Sequence, residues 1–291
     1  MLPMKTLLVV MAAGHGAQPV WQQARAWAMA IGARLQVLVP VAPDVKPGLE
    51  LAPGLKAMAA QNAETAARHW LEDELADAPE GTAHAVVATE HVLDTVLHEA
   101  RRFEADLILM AAGDATALRP LLRQLPCPLL LVRRSTAPRR LAGALGAGNE
   151  DAPHRLLNLA VLEHLKALAA QFGAERRVLS ALPNPTELVP LMGDAYAASY
   201  VASDLEQAYR QGIEKQVADF GMTSEVVVAP GRPDLVLPEL VQREQIDLLL
   251  LGTVARQGLA AFWLGNTAED ILPRVEADVL VLRPQDYFDP A

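Results

Sequence analysis

Short apolar runs alternate along this chain with longer stretches in which apolar positions recur every three or four residues. The runs at 7–11, 35–39, 85–88, 107–110 and 129–132 predict strands, and 20–31, 55–75 and 92–103 predict helices between them. In the first of these helices Trp21, Ala24, Trp27, Ala28 and Ile31 share one face, as they do in a helix lying on a core. Val96, Leu97, Ala100 and Phe103 do the same in the third. The runs at 107–110 and 248–251 are apolar at every position, which suits parallel strands covered on both faces. Parallel strands joined by helices through right-handed crossovers make an open doubly wound α/β sheet.

The pattern then repeats. Ile31-Gly32-Ala33 corresponds to Phe172-Gly173-Ala174, the segment 85–88 to 226–229, and 105–109 to 246–250, all at one offset of 141 residues. Three apolar segments in constant register indicate an internal duplication. The last strands, 128–132 and 278–282, correspond at an offset of 150, so the second half carries nine more residues before its closing strand. The expected architecture is two tandem doubly wound open parallel five-stranded sheets, with domains at 1–135 and 136–291 and a boundary near Pro138.

Composition changes this picture little. With 52% hydrophobic and 21% charged residues, 291 residues support two cores. A net charge of −10 disfavours nucleic acid, which needs a basic stripe. Arg133, Arg134, Arg139 and Arg140 are the richest basic cluster and read as a solvated connector. No run approaches the length of a membrane span, and the N-terminus lacks a cleavable leader pattern. The one cysteine, Cys127, reads as a buried structural thiol in a reducing cytoplasm. Seven histidines (15, 69, 84, 91, 98, 154 and 164) lack metal-ligand spacing and read as solvated. Leu55, Met58 and Trp70 in the first half, and Met192, Tyr196, Tyr200 and Tyr209 within 188–209, form stripes that read as core or as the wall of an apolar cavity.

The candidate chemistry lies after the strand at 248–251. Gly252 turns the chain sharply, and Gly265, Asn266 and Thr267 precede a helical pattern over 268–275. Exposed N–H groups at such a helix start can hold a phosphate, and Asn266 or Thr267 can equally serve as a plain helix cap. The first half lacks the corresponding nine residues and so lacks this loop.

The stretch from Asp247 to Leu259, then Leu264-Gly-Asn-Thr-Ala-Glu and Ala277-Asp-Val-Leu-Val-Leu-Arg-Pro, resembles the C-terminal signature of the universal stress protein family, and the duplicated chain resembles its tandem-domain members. Nucleotide-binding members carry Gly, two residues, Gly, nine residues, then Gly followed by Ser or Thr. Gly252 and Gly265 match the outer glycines, whereas Ala255 replaces the middle one, and Asn266 stands at the Ser/Thr position with Thr267 one place late. Members that bind ATP also present an Asp after the first strand; Ala12 and Gly146 stand at those positions here. Gly231-Arg232-Pro233 matches the family's Gly-x-Pro only in the second half.

The resemblance implies a non-enzymatic cytoplasmic stress-response factor with at most one adenine-nucleotide (ATP-like) site, in the second half. Gly252, Thr253, Val254, Ala255, Gly265, Asn266 and Thr267 would line it, with Gly231 and Pro233 beside them. No metal is expected beyond a nucleotide-associated Mg, and no catalytic group is identified. The altered positions keep open a second reading, a binder of a less charged or hydrophobic ligand or a structural dimerising module without ATP. The resemblance also implies an intrachain pseudo-dimer through the final strands, 129–132 and 279–282, with a homodimer as a further expectation and neither nucleic acid nor membrane as partner.

Overall fold

The computed structural model describes residues 4–14, 18–42, 52–113, 115–146, 152–182, 195–253 and 267–287. The chain divides into two compact units, Pro3–Ala137 and Pro138–Ala291.

The first unit runs β1 (Thr6–Val10), α1 (Gln18–Ile31), β2 (Arg34–Val41), α2 (Pro53–Glu74), β3 (Ala83–Ala88), α3 (Val92–Arg102), β4 (Leu107–Ala111), α4 (Ala115–Leu122) and β5 (Leu129–Val132). Its strands lie in the order β3-β2-β1-β4-β5, all parallel. The second unit runs β6 (Arg140–Ala144), α5 (Ala152–Phe172), β7 (Glu175–Leu182), α6 (Ala195–Asp219), β8 (Glu225–Pro230), α7 (Pro233–Arg243), β9 (Leu248–Gly252), α8 (Thr267–Ile271) and β10 (Asp278–Leu282). Its order, β8-β7-β6-β9-β10, is again all parallel. In each unit the central strands are wholly buried: Leu7, Leu8, Leu107 and Leu109 in one, Leu249, Leu250, Val279 and Leu280 in the other.

Local chemistry repeats with the topology. Asp106 Oδ2 accepts hydrogen bonds from the Lys5 and Thr6 amides at 2.7 and 2.9 Å, fastening β4 to the start of β1. Asp247 Oδ2 does the same for the Arg139 and Arg140 amides, both at 3.0 Å. The turn residues before these aspartates, Glu104 and Gln245, are the non-glycine residues with positive φ among the described residues, 49° and 52°, again 141 positions apart.

Several expectations need correction. Arg140 is not a connector residue: it opens β6, and its guanidinium meets Gln245 Oε1 at 2.6 Å and Glu175 at 3.4 Å. Leu55 and Met58 are exposed, because of the 22 residues of α2 only Ala67 and Leu71 are buried. The helix expected over 268–275 stops at Ile271 and continues as a 3₁₀ turn, Leu272–Arg274, because Pro273 lacks the amide an α-helix needs there. His164 is not solvated; it is fully buried in α5, its Nδ1–H donating to the Ala160 carbonyl at 2.8 Å. Cys127 is buried and forms no disulfide, in keeping with a structural thiol. Met192 and His15 lie outside the described residues. No helix among the described residues is long and apolar enough to cross a membrane.

Candidate functional site

In an open parallel sheet the chain leaves a crevice at the carboxyl edge where successive crossovers depart in opposite directions. In the second unit that point lies between β6 and β9, neighbours in the sheet though separated by the whole β7–β8 excursion. Leu145-Gly146 leaves β6 here and Gly252-Thr253 leaves β9. Val254, Ala255, Gly265 and Asn266 lie outside the described residues, and Thr267 is placed as the first residue of α8.

The described part of this edge is closely packed. A Cβ on Gly252 would lie 2.4 Å from Leu157 Cγ and 2.5 Å from its Cδ2. One on Gly143 would lie 2.8 Å from Val161 Cγ1 and 3.2 Å from Leu165 Cδ2. Gly143 pairs with Leu250, so Gly143 and Gly252 face the same side of adjacent strands. Leu157, Val161 and Leu165 follow at intervals of four, one ridge of α5, and the two glycines form the shallow groove that receives it. The space a glycine leaves at position 252 is therefore filled by Leu157. The Thr253 amide is also committed, donating to Leu282 O of β10 at 2.8 Å, whereas its hydroxyl makes no hydrogen bond among the described residues. Beside β6 the situation differs: a Cβ on Gly146 would meet nothing within 4 Å.

Polar side chains surround that opening. Asn158 Nδ2 donates to Gly146 O and to Gln216 Oε1, both at 2.8 Å. Ser180 Oγ donates to Leu145 O at 2.6 Å, and the Tyr209 hydroxyl donates to Ala181 O at 3.1 Å. Tyr209, read from its spacing as core, is thus a half-buried hydrogen-bonding residue. On the next strand, Gly231 adopts φ 130°, its amide bonds Leu182 O at 2.9 Å, and Pro233 opens α7. Asp234, in the first turn of α7, receives Arg232 Nε and Nη2 at 3.0 Å each and Arg274 Nη1 at 3.6 Å. That cluster ties α7 to the 3₁₀ turn that follows α8. At the equivalent place in the first unit, 141 residues earlier, Glu90-His91-Val92 replaces Gly-Arg-Pro, and Thr89 Oγ1 caps the turn by accepting from the His91 amide at 3.0 Å.

Sequence reasoning missed Leu157, Asn158, Ser180 and Gln216. One signal could have found the first two. The halves correspond at an offset of 134 at the first strand, Thr6 to Arg140, but at 141 from Gly32 to Gly173. The seven-residue difference is the difference between α5, with 21 residues, and α1, with 14. Counted back from their shared C-terminal ends, α5 has about two extra turns, and Leu157 and Asn158 lie on them.

Residues 154–283 match the sequence profile of the universal stress protein family. The chain is 26% identical over 218 residues to universal stress protein E of Salmonella typhi, covering 70% of this chain and 69% of that protein. It is 27% identical over 174 residues to universal stress protein E of Escherichia coli K12, a match covering 58% of this chain and just over half, 55%, of the relative. Among solved structures, a Pseudomonas aeruginosa protein described as functionally unknown superposes with a TM-score of 0.73 at 23% identity, covering 98% of this chain and 95% of that one. A universal stress protein from Archaeoglobus fulgidus gives 0.64 at 14% identity, with 96% of each chain covered. At these identities the two structures establish the fold.

Proposed function

We propose that this chain is a tandem universal stress protein: a non-enzymatic, cytoplasmic stress-response factor with at most one adenine-nucleotide site, at the carboxyl edge of the second unit. The observation that carries this reading is the position of Gly252-Thr253: they leave β9 beside β6, at the switch point of the sheet, with the Thr253 hydroxyl uncommitted among the described residues. Gly265, Asn266 and the start of α8 would complete a phosphate-holding loop, and any Mg would arrive with the nucleotide. A non-enzymatic role is supported by the described side chains at this edge, which are amides, hydroxyls and a carboxylate, Asp234, already held by two arginines. A reducing compartment is supported by Cys127, a buried cysteine in no disulfide.

Isothermal titration of the full chain with ATP tests this. The expected stoichiometry is no more than one per chain, and Gly265→Val should abolish the heat. Two equivalent sites would overturn the asymmetry. A second reading, in which the nucleotide has been lost and a less charged ligand or none takes its place, is favoured by Leu157 filling the space over Gly252 and by the commitment of the Thr253 amide. Under that reading ATP gives no heat, and native mass spectrometry of the purified protein shows either a different small molecule or the bare chain.

A further inference from the structure

Nucleotide-binding relatives are expected to place a carboxylate after the first strand, and here that position is Gly146, which has no side chain and open space around it. What stands beside it instead is an amide pair supplied by two helices, Asn158 from α5 and Gln216 from α6. The hydrogen bonds fix the orientation of both amides. Gly146 O is a carbonyl and can only accept, so the Asn158 atom facing it is the NH₂ group and Asn158 Oδ1 is turned away. The same NH₂ donates to Gln216, so the Gln216 atom that meets it is Oε1 and its NH₂ is the outer group. Neither Asn158 Oδ1 nor Gln216 Nε2 has a partner among the described residues, and both side chains are half-buried. The pair thus leaves one acceptor and one donor uncommitted among the described residues, beside the open position at the end of β6. An adenine edge presents the complement, an amino donor next to a ring-nitrogen acceptor, and carboxamide side chains are the ones that read such an edge.

We propose that Asn158 and Gln216 form the base-reading edge of the second unit, Asn158 Oδ1 accepting from the amino group of an adenine and Gln216 Nε2 donating to its neighbouring ring nitrogen, in place of the carboxylate the family carries after its first strand. The proposal rests on the nucleotide reading above. It also assigns a role to the added turns of α5, which carry Asn158; the first unit, whose α1 is shorter, has no such pair among the described residues.

The test is a calorimetric comparison of ATP with tripolyphosphate, which keeps the phosphates and lacks the base, on the full chain and on two variants. Gln216→Leu removes the donor, and Gln216→Glu removes it while keeping an oxygen for Asn158. Each should weaken ATP binding about three- to tenfold, the value of one hydrogen bond, and leave tripolyphosphate binding unchanged, with unaltered circular dichroism. Wild-type affinity for ATP in both variants overturns the base edge and leaves the nucleotide reading standing, as does wild-type protein that binds ATP no more tightly than tripolyphosphate. Equal losses for both ligands show that Gln216 acts only on the fold, which also overturns it. Failure of the wild-type chain to bind ATP removes the base edge and the nucleotide reading together.

Discussion

Gly231 carries two constraints at once, a φ of 130° and a Val236 methyl 2.8 Å from where a Cβ would stand. Gly231→Ala should cost about 1–3 kcal/mol, read as a lower urea midpoint at unchanged m-value. At Gly252 the backbone conformation is ordinary and the obstacle is Leu157 alone. Gly252→Ala should therefore cost about 1–3 kcal/mol by overpacking, and most of that should vanish in a Leu157→Ala background; a double-mutant cycle that shows additivity would contradict the contact. His164 makes a prediction about pH. Burial is the largest influence on it and lowers its pKa from the ordinary 6.5, against smaller opposing effects of the Ala160 carbonyl and Asp286. The unfolded chain then takes up a proton near its ordinary pKa while the folded chain resists, so stability is complete above that pH and falls as pH drops toward the depressed folded value. His164→Leu should flatten the slope of urea-derived stability as pH falls below 6.5, a slope of at most about 1.4 kcal/mol per pH unit for one proton.

Among elements, the comparison of α1 with α5 shows how the two halves keep one architecture with different side chains. By register, Gly143 of β6 corresponds to Val9 of β1, and Leu165 of α5 to Ala24 of α1, all of them on the strands and helices at the centre of each unit. Large-on-small in one half has become small-on-large in the other, and the volume between helix and sheet is kept. The aspartate clasps are shared. Asp106→Ala and Asp247→Ala each deprive two strand amides of a charged acceptor and should each cost about 1–3 kcal/mol, measured by chemical denaturation. The strands, the helix faces on α1 and α3 and the offset of 141 are legible in the sequence, because continuous apolar runs and 3.6-residue stripes follow directly from burial. Leu55 and Met58 mislead because α2 is rich in alanine, so its apolar spacing says little about which face is covered. Arg140 looks like part of a linker because the clasp that fastens the start of its strand is supplied by Asp247, over a hundred residues away. Asn158 and Gln216 are invisible for a similar reason: 58 residues separate them, and only the fold makes their amides neighbours.

For the whole molecule, the two units share topology, clasps and turn geometry, but they differ at their carboxyl edges. In the first unit that part of the surface includes an open cleft of about 370 Å³ between α2 and the β3–α3 turn, with Pro53, Ala57, Ala60 and Ala88 on its walls and the Lys56–Glu90 ion pair at its rim. Lys56 holds the Glu90 carboxyl below its ordinary range. In the second unit the corresponding investment is in α5, Gly231-Arg232-Pro233 and the arginine-bound Asp234. Duplication followed by such divergence leaves a sequence in which the same residue can be retained for unrelated reasons. Gly252 is the case in point, since the leucine pressed against it would forbid any larger residue whether or not a nucleotide ever visits. A glycine of this kind is a poor witness to ligand binding. It would survive the loss of the ligand for as long as the helix stays where it is, so a lineage that had abandoned ATP would still display the opening letter of the motif.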